Sequence, residues 1–205
     1  MKKSDILAPV IIGFVIAVIF LGVLKFSPEY LPELPDTITK SAVYLLIIFP
    51  VLSVLGVFIA QFLSRKFEAL FQLAKFILVG ALNTFVDLGI MIILLTIFGI
   101  SAGILYSTTK AFSFVCSVIN SYFWNKFWTF GQKETGVEAK EFGKFFLIAG
   151  TGFLINVGIA SLVVNFIGPQ FGLSKEKWAL AGAFIAIICV FMWNFLGYKF
   201  VVFKK

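Results

Sequence analysis

Two groups of polar residues lie within or at the ends of apolar runs, and each could bind a charged headgroup. The first is Asp87, with Lys110 as its candidate partner one to two turns into the following apolar run. A carboxylate near the bilayer midplane costs at least about 2.5–3.5 kcal/mol, so it needs a partner, a proton or a polar cavity. The functional interpretation is a charged pair that lines a path for a sugar or phosphate headgroup. The structural alternatives are an ion pair that locks one helical hairpin, and a protonated aspartic acid.

The second group recurs at the ends of two apolar runs. Asn125-Lys126 and Tyr198-Lys199 each place an ammonium beside an amide or a phenol where a helix leaves the membrane. Such groups suit a lipid phosphate. The alternative is an ordinary lysine whose ammonium reaches the membrane surface within a belt of aromatic residues.

Small and amide side chains inside the spans are candidates for helix contacts as well as for sugar binding. Four asparagines could bond sugar hydroxyls or, equally, neighbouring helices: Asn83, Asn120, Asn156 and Asn194. Three glycines are expected to permit close helix contact: Gly80, Gly150 and Gly152.

Composition restricts the classes of function. Of 205 residues, 60% are hydrophobic and 13% are charged, and the mean hydropathy is +1.05. Soluble domains average about 45–50% apolar and about 25% charged residues, so the sequence indicates an integral membrane protein. It contains no histidine, no metal-ligand spacing around its two cysteines and no phosphate-binding loop. We therefore expect no enzyme activity, no cofactor, no metal and no nucleic-acid partner.

Six apolar runs are long enough to cross the hydrocarbon core, which takes about 20 residues. They predict an all-α integral membrane fold with six transmembrane helices, the first of them a retained helix rather than a signal peptide. Basic residues concentrate on one side, which places both termini and the 125–144 loop in the cytoplasm. Only five basic residues fall on the opposite side: Lys25, Lys40, Lys110, Lys175 and Lys177.

The last four helices contain an internal duplication. Lys75 and Phe76 align with Lys144 and Phe145, and Asp87 aligns with Asn156. Because each unit begins and ends on the predicted cytoplasmic side, the two helical hairpins are expected to be parallel. Chance similarity between apolar sequences is the alternative. The predicted organisation is a two-helix extension followed by a four-helix domain that holds the two repeats: 1–66, 67–205, 75–130 and 144–203.

The repeat edges resemble the GtrA-like family of small membrane proteins. The family motif occurs twice, as Asn120-Ser-Tyr-Phe-Trp-Asn125-Lys126-Phe-Trp-Thr-Phe130 and as Asn194-Phe-Leu-Gly-Tyr198-Lys199-Phe-Val-Val-Phe203. The opening stretch from Phe76 to Asp87 is also similar to the family, as is Lys110. Tyr198 and Ser121 stand where the family usually has asparagine. The resemblance covers roughly residues 70–205.

The resemblance implies a role with polyprenyl-phosphate-linked sugars in cell-surface glycosylation at the cell membrane. On that basis we expect a translocase, or flippase, of these lipids. Phosphate binding is assigned to Asn125, Lys126, Tyr198, Lys199, Asn120 and Asn194, and the intramembrane polar path to Asp87, Lys110, Asn83 and Asn156.

Two other functions stay open. One is a non-catalytic scaffold that recruits a polyprenol-phosphate glycosyltransferase, because some relatives serve as the membrane domain of such enzymes. The other is a small ion or drug transporter. A homo-oligomer, with the N-terminal helix pair as its contact, is compatible with each of these functions.

Overall fold

The computed structural model describes residues 2–27, 41–64, 68–99, 103–132, 136, 138–172 and 174–204. Within these ranges the chain is helical and contains no strand, as its composition predicts. Lys40, assigned above to one side of the membrane, lies outside them. The described residues form six long helices: α1 (Ser4–Phe26), α2 (Leu45–Leu63), α3 (Glu68–Phe98), α4 (Gly103–Trp124), α5 (Ala139–Ser161) and α6 (Lys175–Gly197). Single π-helical turns extend the last three, at Asn125–Thr129, Leu162–Ile167 and Tyr198–Val202.

Five of the six helices are long and apolar enough to cross a membrane, which makes the chain a multi-pass membrane protein. The exception is α4, which has the length, 22 residues, but carries many hydroxyl and amide side chains. The prediction of six transmembrane helices is therefore confirmed only in part. Thr109, Ser113, Ser117 and Ser121 recur at every fourth position of α4 and are buried, so they share one inward face.

The chain folds as two compact units. Unit 1 runs from Met1 to Gln132 and contains α1 to α4, and unit 2 runs from Lys133 to Lys205 and contains α5 and α6. The domain boundary expected between residues 66 and 67 stays a prediction.

In unit 1, α1 lies alongside α3 and runs in the same direction. Asp5 near the start of α1 pairs with Lys75, and Ser27 at its end shares a hydrogen bond of 2.7 Å with Thr96. At 1.5 Å per residue these two contacts are roughly 30 Å apart along each helix. That distance equals the thickness of the hydrocarbon core. Polar contacts therefore fix α1 to α3 at both ends of a membrane span.

The apolar core of unit 1 forms where α1, α2, α3 and the turn after α4 meet. Its buried members are Ala8, Ile12, Ile16, Val57, Val79, Leu82 and Trp128. The N-terminal helix pair thus shares one core with the first predicted hairpin.

Helices α1 and α2 approach each other closely at Gly13. A Cβ atom at Gly13 would lie 2.6 Å from the backbone carbonyl of Phe49 and 2.6 Å from Cα of Pro50. Backbone atoms cannot change rotamer to relieve such a clash. We therefore expect Gly13→Ala to lower the free energy of unfolding by about 1–3 kcal/mol. The measurement is the apparent melting temperature of the detergent-solubilised protein. Gly22→Ala is the control, since a Cβ at Gly22 meets nothing within 4 Å. Equal losses in both variants would contradict the close contact.

Candidate functional site

Polar side chains follow the contact between α3 and α4 inside unit 1. Asp87 pairs with Lys110 through one carboxylate oxygen, and its other oxygen accepts a hydrogen bond of 2.6 Å from Ser113 Oγ. The structure thus brings together the two charges that the sequence singled out. The pair is partly exposed: 20% of the Asp87 side chain and 44% of the Lys110 side chain are accessible. A partly exposed ion pair can exchange its partner for a ligand group more easily than a buried one.

One helical turn along α3 from Asp87, two asparagines bond each other. Nδ2 of Asn120 donates to Oδ1 of Asn83 at 2.7 Å. Residues four apart share a face of a helix, so Asn83 and Asp87 lie on the same side of α3. A hydrogen bond of this kind between membrane helices contributes about 0.6 kcal/mol on average. The two asparagines therefore join α3 to α4 and extend the polar surface around Asp87 and Lys110.

The basic end of unit 1, formed by residues 2–5, 72–75 and 125–130, holds a second ion pair. Lys75 and Asp5 bond there with only 9% and 4% of their side chains exposed. The Lys75 ammonium also lies 4.4 Å from the centre of the Phe71 ring and 5.3 Å from that of Trp128. Asp5 and Lys75 are not among the predicted site residues. Nothing in the sequence pattern signals a pairing between residues so far apart in the chain.

The turn after α4 differs from the expected surface site, because Asn125 and Lys126 are fully buried. Lys126 Nζ donates to the Tyr122 hydroxyl at 3.3 Å. Asn125 Nδ2 donates to the Ser121 carbonyl at 2.9 Å, while Asn125 Oδ1 has no hydrogen-bond partner among the described residues. Burial without a partner costs about 1–3 kcal/mol for each polar group. Such atoms mark a place where a ligand hydroxyl or a water is needed.

The turn after α6 has the same backbone form and a more accessible lysine. Phe130 N–H donates to Asn125 O at 2.9 Å, and Phe203 N–H donates to Tyr198 O at 2.8 Å. Both bonds span five residues, a rare geometry that is frequent at functional sites. Lys199 is half-buried, with its ammonium 5.7 Å from the centre of a neighbouring phenylalanine ring. A five-residue bond of this kind also follows α5, from Gly168 N–H to Val163 O at 3.2 Å, so the turn is not specific to the predicted repeat. The repeat and its parallel hairpins stay a prediction.

Unit 2 places Tyr198 and Asn194 in packed surroundings. The Tyr198 ring stacks on Phe145 with ring centres 3.9 Å apart. Asn194 lies against Gly152, where a Cβ would come 2.7 Å from Asn194 Oδ1, and that oxygen is buried without a hydrogen-bond partner among the described residues. Asn156 is half-buried.

Of the three glycines expected to permit close helix contact, only Gly152 does so. A Cβ at Gly80 or at Gly150 would meet nothing within 4 Å. Their expected role is therefore wrong for contacts within each unit, since small size alone does not say which way a helix position faces.

The sequence is similar to that of known membrane proteins over most of these residues. Residues 75–203 match the family model described as GtrA/DPMS, transmembrane domain. A protein described as uncharacterized membrane protein YngA, from Bacillus subtilis (strain 168), is 29% identical over 130 residues, which cover 54% of this chain and 83% of the relative. No solved structure matches. All the predicted site residues lie within 75–203, whereas Asp5 and the whole of α1 lie outside it.

Proposed function

The chain belongs to the GtrA/DPMS transmembrane-domain family, and from this membership we propose that it is a translocase of polyprenyl-phosphate-linked sugars. It moves these lipids across the cell membrane, with both termini in the cytoplasm, for cell-surface glycosylation. Moving a lipid between leaflets forms and breaks no covalent bond, so the proposed function is not enzymatic. The fold supports a membrane function of this kind, because its helices are apolar and the matched segment carries intramembrane charges.

The observation that carries the proposal is the partly exposed ion pair between Asp87 and Lys110. Ionisable residues within membrane spans are rare, almost always face a bundle interior or a water-filled cavity, and mark transport paths. Ser113 and the Asn83–Asn120 pair extend this polar surface along α3 and α4. Together they offer sugar hydroxyls both donors and acceptors. Asn156, which aligns with Asp87 in the predicted repeat, is assigned to the same polar path.

The lipid phosphate is assigned to the ends of α4 and α6. Lys199 is the accessible cation of this set, since Lys126 is fully buried and Lys199 only half-buried. We therefore assign first contact with the phosphate to Lys199, beside Tyr198 and Asn194. Asn120, Asn125 and Lys126 form the corresponding group at the end of α4.

The proposal is tested by reconstitution. Purified protein is placed in liposomes with a fluorescent short-chain polyprenyl-phosphate sugar, and an external quencher reports how fast the lipid changes leaflet. Wild type is expected to move the lipid faster than protein-free liposomes. Lys199→Gln is expected to weaken lipid binding about fivefold, because one lysine near the surface contributes about 1 kcal/mol toward an anionic lipid. Lys204→Gln removes an exposed lysine of the same tail and is the matched control.

The two other functions give different results in the same preparation. A scaffold leaves movement at the protein-free rate and instead co-purifies with a glycosyltransferase. An ion or drug transporter dissipates an ion gradient without moving the sugar lipid. Equal rates for Lys199→Gln and Lys204→Gln at limiting lipid would remove Lys199 from the phosphate site.

A further inference from the structure

A groove at the basic end of unit 1 separates the start of α1 from the end of α4. Its cavity of about 350 Å³ is lined by Leu7, Ala8 and Ile11 on one side and by four aromatic side chains from residues 123–128 on the other. This volume falls at the lower end of the range for ligand cavities, about 300–1,000 Å³. An apolar cavity of this size on a membrane helix bundle suits a hydrocarbon chain.

The mouth of the groove carries positive charge. Ser4 lines the groove, and Lys2 and Lys3 immediately before it are exposed. The nearby Asp5 does not compensate them, because it forms the buried ion pair with Lys75. Basic residues next to a membrane helix attract anionic lipids, at about 1 kcal/mol for each lysine. The groove therefore has an apolar interior and a cationic rim.

A buried hydrogen-bond donor lies at the same place. Trp128 lines the groove and is 7% exposed, yet its Nε1 has no acceptor among the described residues. A buried donor without a partner costs about 1–3 kcal/mol. An oxygen of a lipid ester or phosphate is the kind of acceptor that would satisfy it.

We propose that this groove binds one acyl chain of an anionic phospholipid of the surrounding bilayer, with the phosphate at Lys2 and Lys3. A lipid oxygen accepts a hydrogen bond from Trp128. One side of the groove is formed by α1, which lies outside the matched segment 75–203, and the translocase proposal gives that side no role. A bound lipid would join α1 to the turn that carries Asn125 and Lys126.

The test uses tryptophan fluorescence in vesicles that contain phospholipids with brominated acyl chains, which quench a nearby indole. In the full chain with Trp178→Phe and Trp193→Phe, only Trp124 and Trp128 remain, and both line the groove. We expect brominated phosphatidylglycerol to quench them at a lower mole fraction than brominated phosphatidylcholine. The expected preference is about fivefold for each of the two lysines. Wild type, with all its tryptophans, should show the same preference at smaller amplitude.

Two variants of equal charge change identify the cationic rim. Lys2→Gln/Lys3→Gln should abolish the preference for phosphatidylglycerol, whereas Lys140→Gln/Lys144→Gln, which removes two exposed lysines of unit 2, should keep it. Equal quenching by the two lipids would overturn the proposal, and so would an unchanged preference in the Lys2/Lys3 variant. Displacement of the brominated lipid by an equimolar polyprenyl phosphate would also overturn it, because the occupant would then be the isoprenoid lipid.

Discussion

Asp87→Asn and Lys110→Gln are each expected to abolish movement of the sugar lipid, and the double variant Asp87→Asn/Lys110→Gln to stay folded but inactive. Each single change leaves one charge inside a membrane span without its partner. Removing one partner of a buried ion pair costs about 3–5 kcal/mol. Both single variants are therefore expected to have a lower apparent melting temperature than wild type.

The double variant separates transport from stability. Two neutral amide side chains can still bond each other and Ser113, so the apparent melting temperature should return close to that of wild type. The charges that a headgroup would meet are nevertheless gone, and the rate in the liposome assay should fall to the protein-free rate. Lys25→Gln is the control, since Lys25 lies at the end of α1, on the same predicted side of the membrane as Lys110.

A different outcome would give the pair another role. If the double variant moves lipid at the wild-type rate while the single variants fail, the Asp87–Lys110 pair locks α3 to α4 and is not part of the path. The exchanged variant Asp87→Lys/Lys110→Asp refines the result, because it restores attraction but reverses the positions of the charges. Its stability should exceed that of either single variant, and its transport should stay impaired.

Much of the fold could be predicted because a membrane restricts the sequence so strongly. A helix that crosses the hydrocarbon core needs about 20 apolar residues, and such runs are visible without any tertiary information. The exception, α4, shows the limit of this argument. Its hydroxyl side chains lower its hydropathy, yet those at every fourth position face inward and are buried. Hydropathy averages over a helix, whereas membrane exposure depends on its faces.

The candidate site could be predicted only where a charged side chain lies in an apolar run, because such a charge is costly to place in a membrane. Asp87 and Lys110 stood out because charges within a span need partners, and the structure places them together. The depth of Asn125 and Lys126 could not be foreseen, because their burial depends on the tertiary core around Trp128. The Asp5–Lys75 pair escaped prediction for a related reason. Asp5 near the start of α1 and Lys75 near the start of α3 each look like an ordinary interfacial charge.

Lys75→Ala is expected to lower the stability of unit 1 by about 3–5 kcal/mol, the usual cost of removing one partner of a buried ion pair. The change leaves the Asp5 carboxylate buried without its cation, and it removes the ammonium from the rings of Phe71 and Trp128. Lys144, which aligns with Lys75 in the sequence, provides the control. Lys144 is exposed, so Lys144→Ala should change stability by no more than about 0.5 kcal/mol.

A third variant distinguishes the effect of an unpaired charge from a general need for α1. Asp5→Leu/Lys75→Met removes both charges and fills the space with apolar atoms, a replacement that is often neutral or stabilising for buried pairs. Unfolding in mixed micelles of mild detergent and dodecyl sulfate should therefore give an order of stability in which Lys75→Ala is lowest and the double variant lies near wild type. If Lys75→Ala and Lys144→Ala lose equally little, apolar packing alone holds α1 against α3. If the double variant is as unstable as the single one, the contact of Lys75 with the two aromatic rings, rather than its pairing with Asp5, fixes this end of the helix.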